Sequence, residues 1–280
     1  MRVAILIQGD PRFCQEFDIF LEKLKGYDQI DWFFYLWKDS PKTNNFSGGE
    51  GHQVVSPFWQ TVTHDAAIRR LKEYLPEKHT VAGFCLADQN SVITHNITGN
   101  YAAETNQSNV WKMWYSQYRA NQMRVEYEQG LGFKYDLVIR SRPDLVVHED
   151  LDLPVIKNKL DEHPDVIVMP LNCHCGYNGV WVCDLLGIGT SETMTIYTDL
   201  YNQALNHHSK GVKFHPETML GRHLEYNNLK YGKMFFNVDI RQLGEWKNKE
   251  TGVIYTTAQL VNQRLDFKDY IYISDFGRWD

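Results

Sequence analysis

Residues 135–147, Tyr-Asp-Leu-Val-Ile-Arg-Ser-Arg-Pro-Asp-Leu-Val-Val, constrain this chain more than any other stretch. The apolar run 137–139 is of the kind that fills a strand buried on both faces. Were the strand to continue, its period of two would set Arg140, Arg142 and Asp144 on one face. Pro143 has no N–H to give to a ladder, so the strand must break or change edge there. Two cations and a carboxylate therefore gather where a buried strand emerges, which in an open α/β sheet is where ligands bind. That points to an anionic ligand. The same residues also fit a structural ion pair joining Arg140 or Arg142 to Asp136 or Asp144, because buried charges are normally paired.

The rest of the chain supplies an α/β frame for that strand. Residues 2–7 read as a first buried strand, left through the turn 8–12. Phe13, Phe17, Phe20, Leu21 and Leu24 follow at helical spacing, with Gly26 as the helix cap. A strand, glycine turn and helix open nucleotide-binding α/β domains, and Gly9, Arg12 and the first helical N–H groups suit phosphate or ribose. Residues 31–37 form a second strand that brings Trp37 to its carboxyl end. A helix is expected over about 65–75. Residues 88–109 show no period and read as a mobile lid. The stripe of a long helix over about 110–128 belongs mostly to the core.

Residues 151–162 read as a polar connection and 166–169 as a strand. Ser191 is the expected N-cap of a helix running to about Leu205. A further helix covers about 216–226, and strands are expected at 234–238 and 240–243. His207 and His208, near a helix end, read as a solvated pair. Cys173, His174 and Cys175 lack the second ligand pair that a structural zinc site needs. The expected fold is α/β, a Rossmann-type mixed sheet with helices on both faces, in one domain over residues 1–280.

Charge and cysteine usage narrow the function. A net charge of -6 and a pI near 6.0 argue against a nucleic-acid footprint. No run approaches the length of a membrane span, and residues 1–7 are too short for a secretory leader. The five cysteines, an odd number without such a leader, are expected to be free thiols in a cytoplasmic protein. The phosphate-loop, dinucleotide and nucleophile-elbow signatures are all missing from the sequence.

Residues 135–147 resemble the hDhhIRxRPDhh signature of bacterial and viral glycosyltransferase-like proteins with a GT-A type fold. There the segment stands in place of the DxD metal motif. Asp144 matches the last acidic position, and Arg142 stands where the first aspartate would be. The likeness extends to the G-x-x-R turn at Gly9 and Arg12, and to a helix before the central strand that carries Gln117 and Arg124. It extends also to an N-D-x-x-x-h-G-like segment at Asp184, with Cys183 replacing the usual Asn, and to a PE-x-x-L helix holding Glu217.

The resemblance implies glycosyl transfer from a nucleotide-diphosphate sugar to a glycan acceptor, in polysaccharide biosynthesis. It makes residues 1–147 the donor half and 148–280 the acceptor half of one GT-A-like domain. Donor contacts would come from Gly9, Arg12, Trp37, Gln117, Arg140, Arg142 and Asp144. Asp184 is the first choice for the base that takes the acceptor proton. Glu217 is the second, and is equally suited to its own helix N-terminus. A divalent Mn or Mg ion would find little beyond Asp144, so the arginines are expected to supply part of the charge. The alternative is a non-catalytic nucleotide- or glycan-binding protein on the same scaffold.

Overall fold

Along β1 (Arg2–Gly9), Val3, Ile5 and Ile7 are buried on one side, and Ala4 and Leu6 on the other. A strand apolar on both faces must lie inside a sheet covered on both faces. The computed structural model, which describes residues 1–11, 18–38, 63–103, 105–170, 176–180, 182–234, 236, 238–240, 244–256 and 270–275, has that architecture.

In chain order, the first half continues with α1 (Asp18–Lys23), β2 (Leu24–Lys25), β3 (Gln29–Trp37), α2 (His64–Tyr74), β4 (His79–Ala87) and α3 (Gln107–Leu131). Next come β5 (Leu137–Ser141), β6 (Leu145–Val147), β7 (Leu151–Asp152), α4 (Leu153–Glu162), β8 (Val166–Met169) and β9 (Gly187–Gly189). The helices α5 (Ser191–Thr198), α6 (Leu200–Ser209) and α7 (Pro216–Tyr226) precede β10 (Lys230–Lys233) and β11 (Val238–Ile240). A separate antiparallel sheet holds β12 (Gly244–Asn248), β13 (Ile254–Thr256) and β14 (Tyr270–Asp275).

The main sheet has seven strands in the order β4-β3-β1-β5-β9-β8-β10. Its pairings are parallel except at β9, which runs antiparallel to both β5 and β8. Strand order reverses between β1 and β5, whose carboxyl ends therefore flank a crevice suited to ligands. Phe20 of α1, Leu71 of α2 and Ile156 of α4 pack on one face of the sheet. Trp114 of α3, Tyr197 of α5, Ala204 of α6 and Met219 of α7 pack on the other. The expected mixed sheet with helices on both faces is thus present.

Several local expectations give way. Residues 153–162 are a helix and not a polar connection. Asp152 accepts from the Val155 N–H at 3.1 Å, and Pro154 sits in the first turn, where its missing N–H costs nothing. Only Leu153, Ile156 and Leu160 are buried there, a stripe too narrow to dominate so polar a sequence. The expected single helix from Ser191 is broken at Asp199, and its N-cap is Thr190, whose hydroxyl accepts from Thr193 N–H. Strands form at Lys230–Lys233 and Val238–Ile240, while residues 235, 237 and 241–243 of the two strands expected at 234–238 and 240–243 lie outside the described residues.

The supposed lid is a fastened strap. The Gln107 amide bonds both the N–H and the C=O of Ile97, at 2.7 and 2.9 Å. The Trp111 indole N–H donates to His95 O, and residues 100–102 exchange backbone hydrogen bonds with Phe214. Val92, Ile97 and Ala102 are buried. Among the described residues no helix is long and apolar enough to cross a membrane.

Candidate functional site

The carboxyl edge of the sheet gathers most of the expected site. β1 ends at Gly9, whose φ of +100° favours glycine, and no described residue beyond its chain neighbours lies within 4 Å of where a Cβ would stand. Across the crevice, β5 carries Arg140, paired with Leu6 on β1 and with Gly187 on β9. Because β9 runs antiparallel, its first residue lies at this same edge, and Asp184 stands just before it. The connection through α5, α6 and α7 into the parallel strand β10 brings the start of α7, with Glu217, toward this edge as well.

Arg140 is the centre of the site. Its guanidinium is 0% exposed, and none of its three nitrogens has a hydrogen-bond acceptor among the described residues. Leaving a buried cation without bonds is costly unless something else answers the charge. Opposite charge comes through space. Burial raises the Tyr197 hydroxyl pKa far above its ordinary value; Arg140 draws it back, while Asp184, Cys183 and Glu217 push it further up. These groups therefore share one electrostatic environment.

The Tyr197 hydroxyl is also buried without a partner among the described residues. Its ring lies against Gly187, where a Cβ would come within 3.2 Å of it, so a side chain there would push the ring by a few tenths of an ångström. Gln8 completes the set. It lies two residues beyond Leu6 on the same side of β1, about 7 Å along the strand, and its buried Oε1 likewise has no donor among the described residues. Two donors suited to phosphate oxygens and one acceptor suited to a hydroxyl thus lie on one side of the sheet, none with a partner among the described residues.

Arg142 behaves differently. The strand ends at Ser141, and Arg142 turns onto Asp144 in a two-pronged pair, Nε to Oδ1 and Nη2 to Oδ2, both at 2.8 Å. Burial opposes its charge, but Asp144, with Asp184 and Asp10 behind it, holds the Arg142 pKa above its ordinary value. Asp184 thus acts electrostatically on both arginines' surroundings. The structural ion pair is realised for Arg142 and not for Arg140.

Asp144 does not fit the metal role expected of it, since both its oxygens are committed to Arg142. No group of three or more metal-binding side chains occurs among the described residues. Glu217 lies in the first turn of α7, where its charge suits the helix N-terminus. Its Oε2 is also 3.3 Å from His215 Nδ1. His215 packs edge-on against Tyr177, and Lys213 Nζ lies 3.4 Å from the Tyr177 ring centroid.

The remaining expectations divide. Trp37 reaches the carboxyl edge, but only 3% of it is exposed, and its ring stacks on Tyr115 in the core. Gln117 is buried on the stripe of α3 that also carries Arg124. Arg124 does not face the crevice. It is locked into bonds with Asn121, Ser191, Thr195 and Glu128. His207 is not solvated: it is 3% exposed and shares a 2.9 Å hydrogen bond with His223. Arg12, Cys173, His174 and Cys175 lie outside the described residues.

Sequence reasoning missed Gln8 and Tyr197. The one available signal was the glycine Gly187, directly after Leu185 and Leu186 and close behind Asp184. No protein-family profile matches this chain, and no curated protein matches it in sequence.

Proposed function

We propose that this protein is a glycosyltransferase that moves a sugar from a nucleotide-diphosphate sugar to a glycan acceptor. The observation that carries the reading is Arg140, a fully buried guanidinium with no bonded acceptor among the described residues, at the carboxyl end of β5 and beside the strand-order reversal. A preorganised cation of this kind gains most when negative charge develops next to it. Arg140 and the Tyr197 hydroxyl donate to the diphosphate oxygens as the bond from the sugar's anomeric carbon to phosphate breaks. Gln8 Oε1 accepts from a ribose or sugar hydroxyl, and Gly9, which has no side chain, admits the nucleotide. Asp184 takes the proton of the acceptor hydroxyl as the new glycosidic bond forms. Glu217, already beside His215, is the second choice for that proton.

The closed Arg142–Asp144 pair favours one competing reading, a non-catalytic nucleotide- or glycan-binding protein on the same scaffold. Thermal denaturation with millimolar UDP, GDP, ADP and CMP, followed by assay of donor-sugar hydrolysis, separates the two. Glycosyl transfer requires a rise in melting temperature with at least one nucleotide, and chelator should reduce that rise less than Arg142→Ala does. Asp184→Asn should keep that rise and lose turnover, since the amide keeps the shape without the basicity. Binding with no hydrolysis of any matched donor favours the second reading, and no binding at all defeats both.

A further inference from the structure

Among the helices α5, α6 and α7 lies a pocket of about 370 Å³ whose lining includes Asp199, Gln203, Asn206, His207, Tyr226 and Asn227. The hydrogen bonding of the two buried histidines fixes what this pocket offers. His223 Nε2 lies 2.7 Å from the Ile196 carbonyl, which can only accept, so that nitrogen carries the proton. His223 Nδ1 is then an acceptor, and the His207 Nε2–H donates to it at 2.9 Å. Burial and the neighbouring His223 and Lys210 lower the His207 pKa to about 4, so the ring stays neutral. His207 Nδ1 is thereby a bare acceptor, buried and without a partner among the described residues.

The rest of the lining selects among ligands that could donate to that nitrogen. A cation would meet the Lys210 ammonium, which sits 5.4 Å from the Tyr226 ring centroid. An anion would meet the Asp199 carboxylate and a histidine held neutral. Gln203, Asn206 and Asn227 each carry both a donor and an acceptor, which matches hydroxyl groups that do the same. The Tyr226 ring, 5.1 Å from His207 and 49% exposed, offers an apolar face. The volume falls within the range of small-molecule pockets, roughly 300–1,000 Å³.

The geometry points to a second binding site here, for a neutral saccharide, with one sugar hydroxyl donating to His207 Nδ1 and a ring face on Tyr226. This site does not depend on the glycosyl-transfer reading. None of its lining residues belongs to the Arg140 crevice, and a sugar-binding surface would serve a binding protein as well as an enzyme.

The test is long-range proton–nitrogen NMR of the His207 ring during titration with methyl α-glucopyranoside, methyl β-galactopyranoside and N-acetylglucosamine. Glycerol and inorganic phosphate serve as comparisons. A saturable shift of Nδ1 toward its hydrogen-bonded position with at least one saccharide is expected. Tyr226→Ala should weaken it about tenfold through loss of the ring contact and its burial. Asn206→Ala, at an exposed helix position where alanine favours folding, should weaken it too. Arg140→Met should leave it unchanged, so a failure of the donor-site reading and a failure of this one are told apart. No saturable shift with any of the three saccharides overturns the proposal. So does an equal response to glycerol, a response to phosphate alone, or full affinity in Tyr226→Ala.

Discussion

Two arginines lie fully buried on the same side of the main sheet, and they could hardly be held more differently. Arg124 on α3 is bound by Asn121, by the hydroxyl and carbonyl of Ser191, by Thr195 and by Glu128 at 2.8 Å. Glu128 in turn accepts from the Tyr135 N–H and from Ser191. That network ties α3 to α5 and to the start of β5. Arg140, at the opposite end of β5, has none of these bonds. A charge whose every bond is made inside the protein serves the fold. One without a bonded acceptor among the described residues does not, and the fold carries its cost.

The largest effect should come from breaking the closed network. Arg124→Ala leaves the buried Glu128 carboxylate with the exposed Lys134, 3.4 Å away, as its one charged partner among the described residues, and should cost about 3 kcal/mol, the low end for a broken buried pair. Urea denaturation should show that loss while nucleotide binding in the surviving folded fraction is retained. A change under about 1 kcal/mol would mean the network is worth no more than an exposed ion pair, and the contrast with Arg140 would collapse.

Arg140→Met should do the reverse. It removes a buried cation that makes no hydrogen bond with any described residue and replaces it with a flexible apolar side chain. Stability should hold or rise. Nucleotide affinity should fall by roughly tenfold to a hundredfold, the value of a hydrogen bond to a charged group at about 1.5–3 kcal/mol. If the variant unfolds as readily as Arg124→Ala and binds nucleotide as before, Arg140 is structural.

The sequence could show that Arg140 and Arg142 share a strand end, but not that they part company there. The break at Pro143 was legible because a missing N–H is a local fact. The direction Arg142 takes after the break depends on Asp144 and on its distant neighbours Asp10 and Asp184, which no local pattern reveals. The same reasoning covers the frame. Strands β1, β3, β5 and β8, and helices α2 and α3, are written in apolar runs and stripes. Helix α4 was lost because three buried residues among charged ones leave little periodic signal. The strap over residues 88–103 is held by side chains bonding to backbone, such as Gln107 on Ile97, and such bonds leave no mark in hydropathy.

Histidines extend the contrast to pH. His79 is closed like Arg124: the Trp32 indole N–H donates to its Nδ1 at 3.1 Å, which leaves the Nε2–H for the Tyr27 hydroxyl at 3.0 Å. Burial lowers its pKa from 6.5 to about 4. The unfolded chain therefore takes up a proton first as pH falls. The stability this provides is complete above about 6.5 and is lost between there and about 4, by up to roughly 1.4 kcal/mol per pH unit. His207, with its open Nδ1, follows the same direction. Urea midpoints at pH 7 and pH 5 should differ accordingly, and His79→Gln should reduce the difference. Equal midpoints would show that neither ring is held neutral by the fold.

The smallest and most discriminating comparison uses two tyrosines in place of two arginines. The Tyr135 hydroxyl donates to Asp31 Oδ2 at 2.8 Å, and the same oxygen accepts from Arg2 Nε at 3.1 Å. The Tyr197 hydroxyl, equally buried, bonds to no described residue. Removing only the oxygen keeps both rings in place. Tyr135→Phe should cost about 1.5 kcal/mol, since it takes a hydrogen bond from a carboxylate. Tyr197→Phe should cost nothing measurable, because an unbonded hydroxyl in the interior contributes no stability and only its desolvation is relieved. Nucleotide affinity should order the two the other way, falling a few-fold in Tyr197→Phe and holding in Tyr135→Phe. A measurable stability loss in Tyr197→Phe, with affinity unchanged, would mean that its hydroxyl serves the fold, and Arg140 would lose its partner in the crevice.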